Sequence, residues 1–357
     1  MSTGDFHNRP FDDGTLTKLE IFELYAREWF PVFLAQNVPS KSIIHVYDFF
    51  AGPGTDSSNK PGSPLRIIRQ LQNCQKLAAW GKVKTHLHFF DKSSQKINQL
   101  KQIIDEQVPK MSNVSYDIKS LAFEEAWEKS AQQLNDQHAA KLVFIDQTGV
   151  SQVTDDVFSR LVKSQTCDFL FFISSSTLYR FLEHPAISLK ISRPDDYYHV
   201  HRAALDYYRR LIPSAQRYYL APFSIKKGAN IHGIIFGSGH PRGMDKFLQV
   251  AWKSDEMTGE ADFDINRENI KPDQLRLPHP DFRPSKILVF EKELENLLRN
   301  GSISTELDVI QVCFDHGMKR KHAEPVLKKL KEGNIINLKF RIPDIKRLNS
   351  PRPIRLI

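Results

Sequence analysis

Cysteine is scarce in this chain. Its 357 residues hold three, Cys74, Cys167 and Cys313. They are far apart, odd in number and in no ligand-like spacing, which argues against a disulfide framework and for reduced structural thiols in a cytoplasmic protein. None follows a proline, so the Pro-Cys nucleophile of cytosine C5 chemistry is missing. Histidine supplies no metal set either: His86/His88 and His199/His201 stand two residues apart, with no acid or cysteine group to complete a site. No run of about 18 apolar residues occurs, so no membrane span is expected. Met1 to Pro10 is polar and lacks the apolar stretch of a secretion signal. There is no internal repeat and no low-complexity tract.

What is present is a soluble globular composition, 40% hydrophobic and 26% charged, in a chain long enough for about two domains. The formal net charge of +8 suits a polyanionic partner wherever the cations cluster.

Four segments are expected: a helical extension over 1–40, an α/β domain over 41–255, a Pro-rich linker over 256–284 and a compact basic domain over 285–357. Thr17 and Glu20 have capping-box spacing, predicting a helix from there to about Phe30, which Pro31 kinks or restarts. An apolar strand, Ile43 to Asp48, then runs into Phe49-Phe50-Ala51-Gly52-Pro53-Gly54. Ser63-Pro64 reads as N-cap and first-turn proline of a helix. Further strands are predicted at 87–90 ending on Asp91, at 114–118, at 142–145 ending on Asp146, and at 169–173. Helices are predicted after Ser93 or Ser94 and over 123–134. These strands are nearly continuous apolar runs, as in parallel sheets covered on both faces. Residues 217–224 and 231–237 form a hairpin signal, followed by a helix from about Met244 to Trp252. Parallel strand–helix units closed by an antiparallel hairpin are the order of a Rossmann-like class I methyltransferase sheet. In the last segment, Leu307, Ile310 and Phe314 line one helix face and Ala323, Val326, Leu327 and Leu330 another, with residues 315–318 as the turn. With strands over 335–342 and 352–357 as a wing, this predicts a winged-helix domain.

The candidate chemistry lies at strand ends. Asp48, Phe50, Gly52 and Gly54 form an acidic-x-Phe-x-Gly-x-Gly turn, whose glycines let a ligand approach the main chain. Asp91 closes the second strand, where a carboxylate accepts hydrogen bonds from ribose hydroxyls. The bland reading is a tight turn and a helix-start acid. Asp146-Gln147-Thr148-Gly149 occupies the place where amino-methyltransferases carry Asp/Asn-Pro-Pro-aromatic, but has neither proline nor aromatic. Asp146 either orients a substrate amine or merely ends a buried strand. In the last segment Lys319, Arg320, Lys321, Lys328, Lys339 and Arg341 are candidate phosphate contacts. Glu324 and Glu332 share their surface, so a solvated face stays open beside the nucleic-acid reading. The paired tyrosines 197/198, 207/208 and 218/219 read as amphipathic packing.

An ordered set of motifs is more specific than any of these pieces. Lys18-Leu19-Glu20-Ile21 with Tyr25, Phe50 to Gly54, Gly62-Ser63-Pro64-Leu65, Phe144-Ile145-Asp146-Gln147 with Gly149, and His240-Pro241-Arg242-Gly243 with Trp252 resemble the three-Cys-motif partner protein (TcmP) family over about residues 15–255. The resemblance implies a class I methyltransferase fold and S-adenosyl-L-methionine (SAM) as cofactor. Gly52 and Gly54 would then meet its methionine portion, Asp91 its ribose and Ser120-Leu121 its adenine, with Asp146 facing the substrate. It also implies a three-Cys-motif, radical-SAM-like partner protein. Two functional readings follow, an enzyme acting on or near DNA or RNA and a non-catalytic adaptor. A different nucleotide-dependent activity in the same crevice is a third.

Overall fold

The computed structural model describes residues 9–147, 152–174, 200–227, 230–254, 285–346 and 349–357. Strands β1 (Ile43–Asp48), β2 (Lys84–Asp91), β3 (Val114–Ser120), β4 (Ala139–Ile145) and β5 (Cys167–Ser174) run parallel. β6 (Tyr219–Lys227) and β7 (Asn230–Ser238) complete a seven-stranded sheet of order β3-β2-β1-β4-β5-β7-β6, in which β7 pairs antiparallel with both neighbours. This is the Rossmann-like, class I methyltransferase-like sheet expected. β4 is buried along its entire length and β1 nearly so, because helices cover both faces and leave no polar side for alternation.

One face is covered by α1 (Asp13–Leu34), α2 (Ser63–Gln72), α3 (Ser94–Gln107) and α7 (Pro241–Ser254). The other carries α4 (Phe123–Leu134), α5 (Asp155–Lys163) and α6 (Val200–Arg210). Tyr207 and Tyr208 pack there, as the amphipathic reading expects. α5 and α6 were not anticipated from the sequence.

Two helix starts differ from expectation. α1 begins at Asp13, where the Asp12 side chain accepts from Thr15 N–H at 2.8 Å. Thr17 is already inside, donating its hydroxyl to Asp13 C=O. An ionised cap at the helix N-terminus combines the cap bond with the dipole, so the earlier aspartate prevails over the later threonine. Pro31 sits within the last turn of α1 and does not end it. α2 is capped by Gly62, with Ser63 and Pro64 in its first turn.

The C-terminal segment holds α8 (Ser285–Arg299), also not anticipated, α9 (Glu306–Asp315) and α10 (Glu324–Glu332). Gly317, at φ 64°, makes the turn after α9. The expected wing is reduced to two-residue strands, β8 (Ile336–Asn337) paired antiparallel with β9 (Arg355–Leu356). This segment joins the apolar core that underlies α7. Trp252 Nε1 donates to Gly317 C=O at 2.8 Å, and Phe314 meets Tyr219 edge-to-face. The expected linker, 256–284, lies outside the described residues. Among the described residues, no helix is long and apolar enough to cross a membrane.

Candidate functional site

Parallel strands in open α/β sheets deliver side chains to the crevice beyond their carboxyl ends. β1, β2 and β4 deliver Asp48, Asp91 and Asp146 to that edge. Gly52 and Gly54 adopt positive φ, 64° and 94°, a conformation that costs other residues strain. A Cβ on Gly54 would also come within 3.0 Å of Leu100. Beyond the turn, Thr55 pairs with Pro61, and the Asp56 carboxylate accepts from the N–H groups of Phe11, Ser58 and Lys60. Gly62 N–H then returns to Gly54 C=O at 2.7 Å. The insertion 55–62 is thus a closed loop that leaves the glycine turn standing in front of α2.

Asp48 lies behind that turn, fully buried. Its Oδ1 accepts from Phe50 N–H at 3.1 Å, while Oδ2 is buried without a hydrogen-bond partner. Burial raises its carboxyl from 3.8 to about 7; the Ser63 hydroxyl and Phe50 N–H oppose the shift, and the charges of Asp146 and Asp91 add to it. An orphaned carboxylate oxygen in such a place is complementary to a cation or a strong donor.

Asp91 is committed on one side. Its Oδ2 accepts from Gly52 N–H at 3.2 Å and its Oδ1 from Ser93 N–H at 2.8 Å. Each oxygen keeps a second lone pair for an outside donor. Leu121 N–H donates to Asp91 C=O, and Ser120 Oγ donates to Lys92 C=O. Phe50 stacks on Phe123 at 5.8 Å, and both Phe50 and Leu121 pack on the core below α4. The glycine turn, Asp91 and the 120–123 corner therefore adjoin one another.

Asp146 has a partner that sequence reasoning did not assign. Lys18, nearly buried on α1, forms an ion pair with its carboxylate and lies 4.7 Å from the Phe172 ring. Gln147 is buried and acts as a brace: Nε2 donates to Phe172 C=O at 2.9 Å, and Oε1 accepts from Gln152 N–H at 3.0 Å. It ties the end of β4 to β5 and to the approach to α5. Thr148 and Gly149 lie outside the described residues. The signal for Lys18 was its spacing with Phe22, Tyr25 and Trp29, which places a lysine on an otherwise apolar helix face.

The C-terminal cations are not brought together as a free patch. Arg320 is engaged within the fold: its guanidinium forms a bidentate pair with Asp245 at 2.7 and 3.1 Å and donates to Pro343 C=O at 2.5 Å. A buried acid on α7 outcompetes solvent for that fork. Arg341 pairs with Glu324 and Lys328 approaches Glu332 at 3.8 Å, so both acids temper the patch as the solvated-face reading expects. Lys319 lies 5.2 Å from the Trp252 ring. Lys321 and Lys339 are exposed. Among the described residues, no His/Cys/Asp/Glu group has the arrangement of a metal site.

Strand order and the reversed β7 define the chain as class I methyltransferase-like in fold. No model of a protein family matches the sequence, and no curated protein matches it. Trm1 from Pyrococcus horikoshii, solved with S-adenosyl-L-methionine, is similar over 97% of this chain and 91% of its own at 12% identity and a TM-score of 0.41. A SAM-dependent methyltransferase from Agrobacterium tumefaciens is similar over 64% of this chain and 62% of its own, at 7% identity and a TM-score of 0.34.

Proposed function

We propose that this chain is a SAM-binding, methyltransferase-like protein of the cytoplasm that acts on or near nucleic acid. The observation that carries the proposal is the orphaned, buried Asp48 Oδ2 behind a turn held open by two positive-φ glycines. SAM fits that arrangement, since its methionine portion carries an ammonium and a sulfonium, whose positive charge is favoured by the buried carboxylate behind the turn. Gly52 and Gly54 would hold the methionine portion, with Asp48 and Phe50 behind the turn. Asp91 would accept from the ribose hydroxyls with its remaining lone pairs, and Ser120 and Leu121 would border the adenine. Bound there, the cofactor supplies a methyl group on a positively charged sulfur. Asp146 would accept from a substrate amine and hold its lone pair in line, with Gln147 fixing the loop behind.

The motif set of the TcmP resemblance supports a radical-SAM-like, three-Cys-motif partner as part of this reading. Exposed Lys321 and Lys339, in a winged-helix-like 285–357 segment, support nucleic-acid contact. The three buried free cysteines suit a reducing compartment. One observation favours the adaptor as a second reading: Lys18 already occupies the carboxylate that an amine substrate would need.

Calorimetry with SAM and S-adenosylhomocysteine tests the proposal. We expect saturable binding of both, weakened at least tenfold in Asp91→Ala; a folded protein that binds neither refutes it. With binding established, labelled-methyl transfer to RNA, DNA or protein that is lost in Asp146→Ala identifies the enzyme. Binding without transfer to any acceptor identifies the adaptor.

A further inference from the structure

A cavity of about 460 Å³ lies at the other end of the sheet from the first site, where β5 begins and β7 ends. Seven residue steps along β5 separate the two edges, roughly 20 Å of extended chain. Its contributors are α1, the α5–β5 connection, the chain before β6 and the start of α7. Tyr25, His240, Arg242 and Gly243, singled out in the sequence and given no role at the first site, all line it.

The lining has three chemical parts. Trp29, Phe33 and Tyr218 are buried aromatic walls. Asp168 lies between them, with Oδ2 accepting from Tyr25 O–H at 2.6 Å. Its Oδ1 lies close to Gly243, where a Cβ would stand 3.1 Å away. Burial raises the Asp168 carboxyl to about 6, opposed by hydrogen bonds from Ser238, Tyr25 and Trp29. Lys163, Arg217 and Arg242 are exposed at the mouth and have no carboxylate partner among the described residues. Lys246, by contrast, is answered by Glu28 at 2.6 Å.

A cationic mouth, aromatic walls and a deep hydrogen-bond acceptor select a flat ligand with an anion at one end and an N–H donor at the other. We propose that this cavity binds a nucleoside monophosphate whose base carries an exocyclic amine, its phosphate at Lys163, Arg217 and Arg242 and its amine at Asp168. The volume suits a ligand of that size. The site is separate from the SAM crevice and stands or falls without it.

Titration calorimetry of the full chain with AMP, GMP, CMP and UMP, with and without saturating S-adenosylhomocysteine, tests this. The expected result is saturable binding of the amine-bearing nucleotides, at least tenfold tighter than UMP and unchanged by S-adenosylhomocysteine. The exposed double variant Arg217→Ala/Arg242→Ala should weaken it at least tenfold. Asp168→Asn should erase the preference over UMP, and Asp91→Ala, which weakens the first site, should leave the affinity for each nucleoside monophosphate in place. Failure of all four nucleotides to bind, full affinity in the double variant, a preference over UMP that is absent or survives in Asp168→Asn, or loss of binding in Asp91→Ala or with S-adenosylhomocysteine overturns the assignment. Loss of S-adenosylhomocysteine binding alone bears on the first site only.

Discussion

Replacing Asp48 with asparagine should stabilise the ligand-free protein, and more so as pH rises. The carboxyl is fully buried and titrates at about 7 in the folded chain, against 3.8 when unperturbed. Between those values the native state holds a proton that the unfolded state has released. Stability therefore falls as pH increases through this window, and the full penalty is present above about pH 7. Taking the two values at face, the penalty grows by on the order of 2 kcal/mol between about pH 5.5 and pH 8. Asparagine keeps the shape and removes the ionisation, so the gain in the variant should widen by that amount across the same range. Urea denaturation of parent and variant at several pH values reads the difference directly, and any constant cost of the new amide cancels from the slope. A difference between the two proteins that stays flat from pH 5.5 to pH 8 refutes a buried, proton-holding Asp48. The same group ties ligand to proton: a cationic ligand beside Oδ2 should be accompanied by proton release near neutral pH, measurable in buffers of different ionisation enthalpy.

Acid should act through a different cluster. His45 is pressed to about 3 by burial and by the neighbouring His88 and His86, with Lys141 adding to the shift and Asp136 opposing it. A depressed histidine leaves stability intact above its unfolded value and loses it as pH falls toward the folded one, on the order of 2 kcal/mol between about pH 7 and pH 5. His45→Leu should move the acid-unfolding midpoint downward in circular dichroism; an unmoved midpoint counts against the assignment. Arg320→Ala removes the fork on Asp245 and should cost about 2–3 kcal/mol, with earlier proteolytic release of the C-terminal helices. Unchanged stability combined with weaker binding in a gel shift would instead return Arg320 to the nucleic-acid face.

The centre of the sheet was legible in the sequence because β1 and β4 are buried on both faces, which writes them as apolar runs ending at Asp48 and Asp146. Glycines at 52 and 54 were legible for a related reason, since only a few backbone shapes call for two of them beside an acid. The α6 helix was not, because Val200–Arg210 is polar on average, although its few apolar residues do fall on one face. Nor was the Lys18–Asp146 pair, whose members lie 128 residues apart and meet only through the docking of α1. The cap at Asp12 was missed because a complete Thr17/Glu20 capping pattern stood one turn downstream. Arg320 was illegible for a similar reason: its charge is visible in a sequence, but its partner Asp245, 75 residues away, is visible only in space.

The brace at Gln147 has a consequence for how this site would change over time. In a loop stiffened by prolines, rigidity resides in the backbone and survives replacement of neighbouring side chains. Here one amide holds three elements, joining β4, β5 and the lead into α5 through Phe172, Gln152 and Val153. A single-base change at codon 147 would release all three together, and even glutamate, which keeps the length, would lose the N–H that reaches Phe172. Residue 147 is thus a narrow point in sequence space.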